Sequence, residues 1–402
     1  MRKQTRSLAA SSAAVAALLL LLAPAARAVD IQSGDWKLSV TGYANAYEQL
    51  AFCNHGSVTV QGGFACQTPS ALSSRSGIQN GLGVGHFGVS ATTVKDGWTL
   101  GGAGEIWSGI LGGDGFSETT DFKSQGPSLR QSFVYFGNGI GTFKVGRMFG
   151  VFGSDAIAND MTLNGVGSAA VRGGGNSSLG RIGVGYLFAG FYNQIQYTTP
   201  DFNGLALTGS IIQAFTDSST TLSEHTVPGV MAKANYGWKG AVAGSAWVSG
   251  FVQSSTTPDG QTSLTSSAID IGARLDYSDL SLVGYFFTGS GVGTAGLLVG
   301  GIYTPATGAP VARTTNGYYG QLTYKIKNLK LGASYGACGQ SLASGETGDT
   351  LLKSNSSVIG GAYYTLGGVV TLATEWTHTI SRNQIGGSLG DNSLAIGAST
   401  GF

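Results

Sequence analysis

Few residues in this chain are spaced for chemistry. Gly83-Val84-Gly85-His86-Phe87-Gly88 fits the G-x-G-x-x-G pattern by letter, in which glycines let a strand-to-helix turn approach a pyrophosphate. That use needs a helix N-terminus directly after the glycines. These residues instead lie in an alternating, strand-like segment, so no dinucleotide site is expected. The four histidines, His55, His86, His225 and His378, show no spacing that would place two on one metal ion, and Glu224-His225 reads as solvated loop surface. With no serine elbow and no paired-cysteine zinc pattern, neither a cofactor, a metal nor an enzymatic activity is expected. Cys53 and Cys66 are close enough in sequence to form a disulfide in an oxidising compartment. Cys338 is left over and reads as a small apolar residue at a strand end.

Positioning of the remaining polar residues depends on an unusual background. Of 402 residues, 42% are hydrophobic but only 11% are charged, and 67 are Gly. Soluble domains carry about 25% charged residues and about 7% Gly, so an ordinary cytoplasmic enzyme is a poor fit. Disorder requires low hydrophobicity with high net charge, and the formal charge here is only +1. Collagen is excluded by 8 Pro and the lack of a three-residue Gly period.

Residues 1–28 read as a cleaved secretory signal: Arg2, Lys3 and Arg6 precede an apolar run from Ala13 to Ala23, and Ala26-Arg27-Ala28 fits the small-residue cleavage rule. This segment holds four basic residues (Arg2, Lys3, Arg6, Arg27) and no acidic one, so its loss takes the charge from +1 to −3. Neither nucleic acid nor another polyanion is therefore an expected partner. No later stretch is apolar over a helical membrane span, so a membrane location would require a closed β-barrel.

Two-residue alternation recurs along 29–402. Trp36, Leu38, Val40, Ala44 and Ala46 share one face, and Lys37, Ser39, Thr41, Tyr43 and Asn45 the other. Sixteen strands are predicted, at 35–47, 81–94, 98–107, 128–136, 142–150, 190–200, 205–215, 228–236, 241–252, 267–276, 281–289, 316–325, 330–338, 356–365, 369–380 and 391–402. Their connections alternate between tight turns, such as Lys95-Asp96-Gly97 and Asp201-Phe202-Asn203-Gly204, and long Ser/Thr/Gly-rich loops, such as 48–80, 108–127, 151–189 and 290–315. Sorting by parity places all short turns at one end of an up-and-down barrel. The expected class is an all-β, 16-stranded antiparallel transmembrane β-barrel with short periplasmic turns and long outer loops, wide enough for a water-filled lumen. Trp36, Trp98, Tyr236, Trp238, Tyr277 and Phe402 fall beside the predicted periplasmic ends, where aromatic rings settle at the lipid interface.

Ser128-Leu129-Arg130-Gln131-Ser132-Phe133-Val134-Tyr135-Phe136 followed by Gly141-Thr142-Phe143-Lys144-Val145-Gly146-Arg147 resembles the fourth and fifth strands of the general trimeric porins of Gram-negative outer membranes. Gly150-Val151-Phe152, Asp155-Ala156-Ile157 and Asn159-Asp160-Met161 resemble the start of that family's third loop. Asn193 to Gly204 resembles its next hairpin, and Phe402 matches its assembly-signal residue. The resemblance implies a homotrimer in outer-membrane lipid, built by the barrel assembly machinery and passing ions and small hydrophilic solutes by passive diffusion. It also implies a third loop, 151–189, folded into the pore, with Asp155 and Asp160 facing Arg130 and Arg147 across a constriction. Opposed charges there would set up a transverse field and bias ion selectivity.

The chain departs from the family pattern at the loop's Pro-Glu-Phe-Gly-Gly segment, replaced by Leu163-Asn164-Gly165-Val166-Gly167. Wall positions that are often basic read as Tyr43, His86 and Tyr192, which predicts a weaker field and a more aromatic eyelet, with His86 able to titrate inside the pore. Arg172 and Arg181 could restore positive charge. Two alternatives remain open: a substrate-preferring channel, for example for sugars stacking on Tyr43 and Tyr192, and a barrel-anchored surface adhesin or receptor.

Overall fold

The computed structural model describes residues 28–54, 58–66, 73–108, 127–168, 177–216 and 221–402. The predicted signal, His55, Arg172 and most of 108–127 lie outside the described residues. Eighteen strands form one antiparallel sheet closed on itself. The first long strand, β2 (Trp36–Asn54), closes it, pairing with β20 (Ser388–Gly401) along Tyr43–Asn54 and with β4 (His86–Lys95) along Trp36–Tyr43. Two short strands extend existing staves: β1 (Val29–Ser33) continues the β20 position, and β3 (Ser74–Gln79) the β4 position. The wall therefore has sixteen staves.

The other staves are β5 (Trp98–Trp107), β6 (Ser128–Asn138), β7 (Gly141–Phe149), β8 (Phe191–Thr198), β9 (Leu205–Ile212), β10 (Gly229–Trp238), β11 (Ala243–Thr256), β12 (Ser263–Tyr277), β13 (Leu280–Ser290), β16 (Thr314–Ile326), β17 (Leu329–Gln340), β18 (Leu352–Leu366) and β19 (Val370–Asn383). A two-residue pair, β14 (Ile302–Tyr303) and β15 (Val311–Ala312), lies in the long connection before β16.

Side-chain alternation sorts the two faces. In β12, Ile269 and Ile271 are more than half exposed while Asp270 between them is 1% exposed. The same outward row continues in Val248, Phe286, Leu322 and Leu394, which a pleated strand facing hydrocarbon requires. Tight connections at one end use left-handed backbone at Asp96, Asn203, Ser278 and Lys327, the conformation that matches the strand twist in short hairpins.

Phe402 has a packing role in this seam. Its N–H and carbonyl pair with Gly42 at 2.9 and 2.8 Å, and its ring lies over the Gly42 Cα, where any Cβ would overlap it.

The clearest difference from the sequence reading lies at 81–94. That strand begins only at His86, and β3 before it is an additional short strand. Residues 80–85 leave the wall and turn inward. Gly81 is pressed against the Gly165 carbonyl with no room for a side chain, and Leu82 N–H donates to the same carbonyl at 2.9 Å. Gly83, the first glycine of the nucleotide-like pattern, likewise donates its N–H to the Leu163 carbonyl of the inserted loop at 3.2 Å, whereas Gly88 lies within β4.

Candidate permeation site

The segment between β7 and β8 folds into the lumen. It begins with a one-turn helix, α1 (Ser154–Ala158), followed by a 3-10 turn at Met161–Asn164. Its apolar side chains, including Phe152, Ile157, Leu163, Ile182 and Leu187, pack against lumenal Met231, Trp247, Phe251, Tyr285 and Phe287 of β10 to β13. A second contact joins Val166 to Tyr47, Tyr363 and Ala373. The loop therefore fills part of the lumen with a genuine core.

An irregular loop has backbone groups that no ladder satisfies, and inside a barrel the wall must supply partners. Asp270 of β12 accepts from Gly153 N–H at 3.1 Å, from Ser249 N–H and Oγ, and from Tyr285 OH. Tyr319 OH donates to Ala156 O at 2.8 Å, and Gln321 accepts from Met161 N–H and donates to Asn159 O. Glu375 of β19, 3% exposed, accepts from Val166 N–H at 3.0 Å, Gly167 N–H at 2.6 Å and Tyr363 OH at 2.6 Å. This wall carboxylate meets the segment from which the loop's own carboxylate is missing.

Asp160 belongs to the same clamp. It is 5% exposed, caps the 3-10 turn through Thr162 N–H at 2.9 Å, and accepts from Arg181 N–H and Tyr186 OH. Arg181 is fully buried, donating to Ser334 Oγ and to Ser357. Both are turned under the loop, so neither faces the pore as expected from sequence. Burial removes them because the loop turn needs its own acceptor and guanidinium post.

Asp155 stays on the lumenal surface. From the first turn of α1 it forms an ion pair with Lys233 of β10 at 2.6 Å, both side chains about one-fifth exposed. The loop acid thus touches a wall base directly instead of facing one across the passage.

Of the expected wall residues Tyr43, His86 and Tyr192, the first two are buried, together with Trp107. Tyr43 (3% exposed), His86 (9%) and Trp107 (8%) stack with ring centroids 5.4 Å apart. His86 Nδ1 bonds to the Val84 carbonyl at 2.9 Å, which fixes Nδ1–H as donor, and Nε2 faces Glu105 at 3.5 Å. Glu105 also accepts from Trp107 Nε1 and Gln131 Nε2. Tyr192 is packed against Phe215 at 4.8 Å. Tyr43, His86 and Trp107 thus form a buried layer where an aromatic eyelet was expected, while Tyr192 is half-buried against Phe215.

Arg130 and Arg147 part company. A β-bulge opposite Glu105 and Ile106 leaves Arg130 as the extra residue, and bulges re-aim side chains. Its guanidinium lies 5.6 Å from the ring centres of both Trp107 and Phe191, with Nε donating to Ser128. Arg147 pairs in register with Ser132 and Asn193, both exposed, and shares the outward row of Val145 and Ile195. Alternation therefore places it on the outer face rather than on the pore wall.

Cys53 and Cys66 are joined by a disulfide. Cys338 lies close to the C-terminal end of β17, buried in the lumenal core and accepting from Gly185 N–H at 3.2 Å. Among the described residues no group of three His, Cys, Asp or Glu is placed to hold a metal ion.

A family model described as Gram-negative porin matches residues 10–399. The chain belongs to the Gram-negative porin family. Among solved structures, the outer membrane channel DcaP of Acinetobacter baumannii shares 15% identity at a TM-score of 0.69, covering 92% of this chain and 99% of that one. OmpF of Salmonella typhi, solved with daunomycin, shares 15% identity at 0.57, covering 93% and 100%. OmpT of Vibrio cholerae in a trimer form shares 14% at 0.54, covering 91% and 99%. These likenesses concern the fold. No curated protein matches the chain. The porin is an outer-membrane channel for passive diffusion, and its short-turn end is the periplasmic one.

The residues that hold the loop, Asp270, Tyr319, Gln321 and Glu375, and the pore base Lys233 were missed from sequence. Each sits on the lumenal parity of a predicted strand, opposite a lipid-facing neighbour such as Ile271, Tyr318 or Trp376. That parity was the available signal.

Proposed function

We propose that this porin passes ions and small hydrophilic solutes through the gap left between the clamped loop and the wall, narrowest beside the Asp155–Lys233 pair. The observation that carries this reading is the insertion itself: a loop held by wall side chains narrows the lumen while a charged pair on it remains partly exposed. The sugar-stacking alternative loses support, since Tyr43 is buried and one face of the half-buried Tyr192 is taken by Phe215.

The reading includes export by a cleaved signal, assembly by the barrel assembly machinery and a homotrimer. Polar groups on the outward face support the last of these. Glu48 lies between Ile78 and Ile396 in register, and His378 bonds to Asn392 at 3.1 Å, all on staves flanking the closure seam. A carboxylate facing acyl chains is unfavourable, and a neighbouring copy would cover it. Purified protein in planar bilayers tests the reading: ohmic steps in triplets that sugars do not block are expected, and a folded barrel without conductance would refute it.

A further inference from the structure

Residues 58–66, which follow β2, lie along the lumenal side of β18, β19 and β20 at the ends opposite the tight turns. On the outward run Asn383 Nδ2 donates to Thr59 O at 3.1 Å. Gln61 then bonds to the stretch entering β18, its N–H donating to Thr350 O at 2.7 Å and its carbonyl accepting from Leu352 N–H at 3.0 Å. On the return Phe64 N–H donates to Ser381 Oγ at 2.8 Å and Asn355 Oδ1 at 3.0 Å, Ala65 N–H to Ser381 Oγ at 2.8 Å, and Cys66 N–H to Asp391 Oδ2 at 3.1 Å. Asn355, Ser381 and Asp391 are buried residues of lumenal parity, so the segment runs inside the mouth. The disulfide returns it to β2. An irregular run keeps such a place only where its backbone groups find partners, and a cross-link removes freedom it would gain on leaving.

The Phe64 ring carries this strap onto the inserted loop. It covers Gly183, whose backbone is left-handed (φ +74°) and where a Cβ would overlap the ring. Ala295, in the connection before β16, borders the same spot, and its carbonyl accepts from Phe188 N–H of the inserted loop at 2.9 Å. Phe64 also borders a cavity of about 310 Å³, shared with Gln61, Val299, Arg313 and Gln384. The ring thus stands between Gly183 and an unfilled space, and its removal would leave the 177–189 arm of the loop room to shift.

We propose that 58–66 is an outer brace of the constriction, in which Phe64 positions the 177–189 arm of the inserted loop and so helps to set the largest solute that passes. The inference rests on the porin reading and names a positioning residue for the same passage. Glu375 holds the loop at Val166 and Gly167 from the wall, whereas Phe64 bears on it at Gly183 from the mouth. The two contacts act on different stretches, so losing the ring leaves the loop inserted but less confined. Ile182 and Leu187 of this arm share one core with Phe152 and Ile157. A shift of the arm therefore reaches the stretch that carries Asp155 and alters the gap beside Lys233.

The test combines single-channel conductance in planar bilayers with liposome swelling in neutral sugars of increasing size. Phe64→Ala should raise conductance about 1.5-fold, with added noise, because ion flow follows the open width of a pore, and it should admit sugars larger than the unaltered channel passes. Phe64→Leu, which keeps an apolar branch over Gly183, should fall between the two. Cys53→Ser with Cys66→Ser keeps the ring but frees the strap's end, so it should shift both readings less and in the same direction; it decides the matter if Phe64→Ala does not fold. A brace that only added stability would lower the melting temperature and leave the exclusion limit alone. Folded variants with unchanged or lower conductance and an unchanged exclusion limit overturn the inference and leave the porin reading standing. Absence of conductance from the folded, unaltered protein would overturn both.

Discussion

Substituting Glu375 tests whether wall carboxylates hold the inserted loop. Glu375→Ala removes one acceptor group from Val166 N–H, Gly167 N–H and Tyr363 OH, at 3.0, 2.6 and 2.6 Å. Hydrogen bonds to a charged group contribute about 1.5–3 kcal/mol each. Three would set an upper bound near 9 kcal/mol, but two corrections lower it. Water from the lumen can reach the freed N–H groups, and the buried carboxylate no longer bears its own desolvation. About 3–5 kcal/mol of local docking energy remains, a shift of roughly a hundred- to a few-thousand-fold in the population with 163–168 undocked. Glu375→Gln keeps one acceptor oxygen of similar shape and should cost about 1–2 kcal/mol. The barrel ladder is untouched in both, so migration of the folded form on gels should be preserved. Single-channel recordings should show bursts of higher conductance, frequent in Glu375→Ala and intermediate in Glu375→Gln. Wild-type noise in Glu375→Ala, together with unchanged protease resistance of the loop, would refute the clamp.

Three further outcomes follow from the packing and electrostatics. Gly42→Val would place a branched side chain in the ring of Phe402; overpacking of this kind costs about 1–3 kcal/mol, so the folded form should dissociate at lower temperature on gels, and an unaltered transition would remove Phe402 from the seam. Replacing both Cys53 and Cys66 with Ser opens a link of sequence separation 13, worth about 3 kcal/mol in the chain-entropy view. The link ties 58–66 to the end of β2 rather than joining two staves, so proteinase K should cut faster near 58–66 while barrel melting barely moves, and a large fall in melting would contradict this. In the outer loops, burial opposes the charged form of Glu346, but the Arg313 guanidinium and Ala343 N–H outweigh it and hold the carboxyl below its usual range. A depressed folded-state value means the contact stabilises above the unfolded carboxylate range and is lost as pH falls through the folded value. Hydrogen exchange at 341–351 should therefore rise on acidification below about pH 4.5, and Glu346→Gln should flatten that dependence.

The wall was legible in sequence because a barrel repeats one rule: a stave that faces lipid on one side must alternate, and tight turns need particular residues. The 98–107 strand coincides with β5 for that reason, and most other boundaries shift by only a few residues. The site was less legible. Whether Asp160 faces water or a Thr162 N–H depends on how an irregular loop folds, and no periodicity encodes that. Arg130 needed a bulge to enter the lumen, while Arg147 fell on the outward parity despite its place in a resembling motif. The break at 80–85 was hidden because glycines at close approaches read locally like glycines in a strand.

Which lumenal charges stay free depends on what the inserted loop needs rather than on how many there are. A loop lowered into a barrel carries N–H groups without ladder partners, and carboxylates are the side chains best suited to accept several at once. Lysine cannot accept, so it is excluded from that task. Asp160, Asp270 and Glu375 become fixed parts of the scaffold, whereas Lys144 rests nearly buried on the Phe133 ring and Lys330 lies over Tyr363 within reach of Glu375 and Asp160. Removing one of these acids should therefore loosen the loop before it alters selectivity.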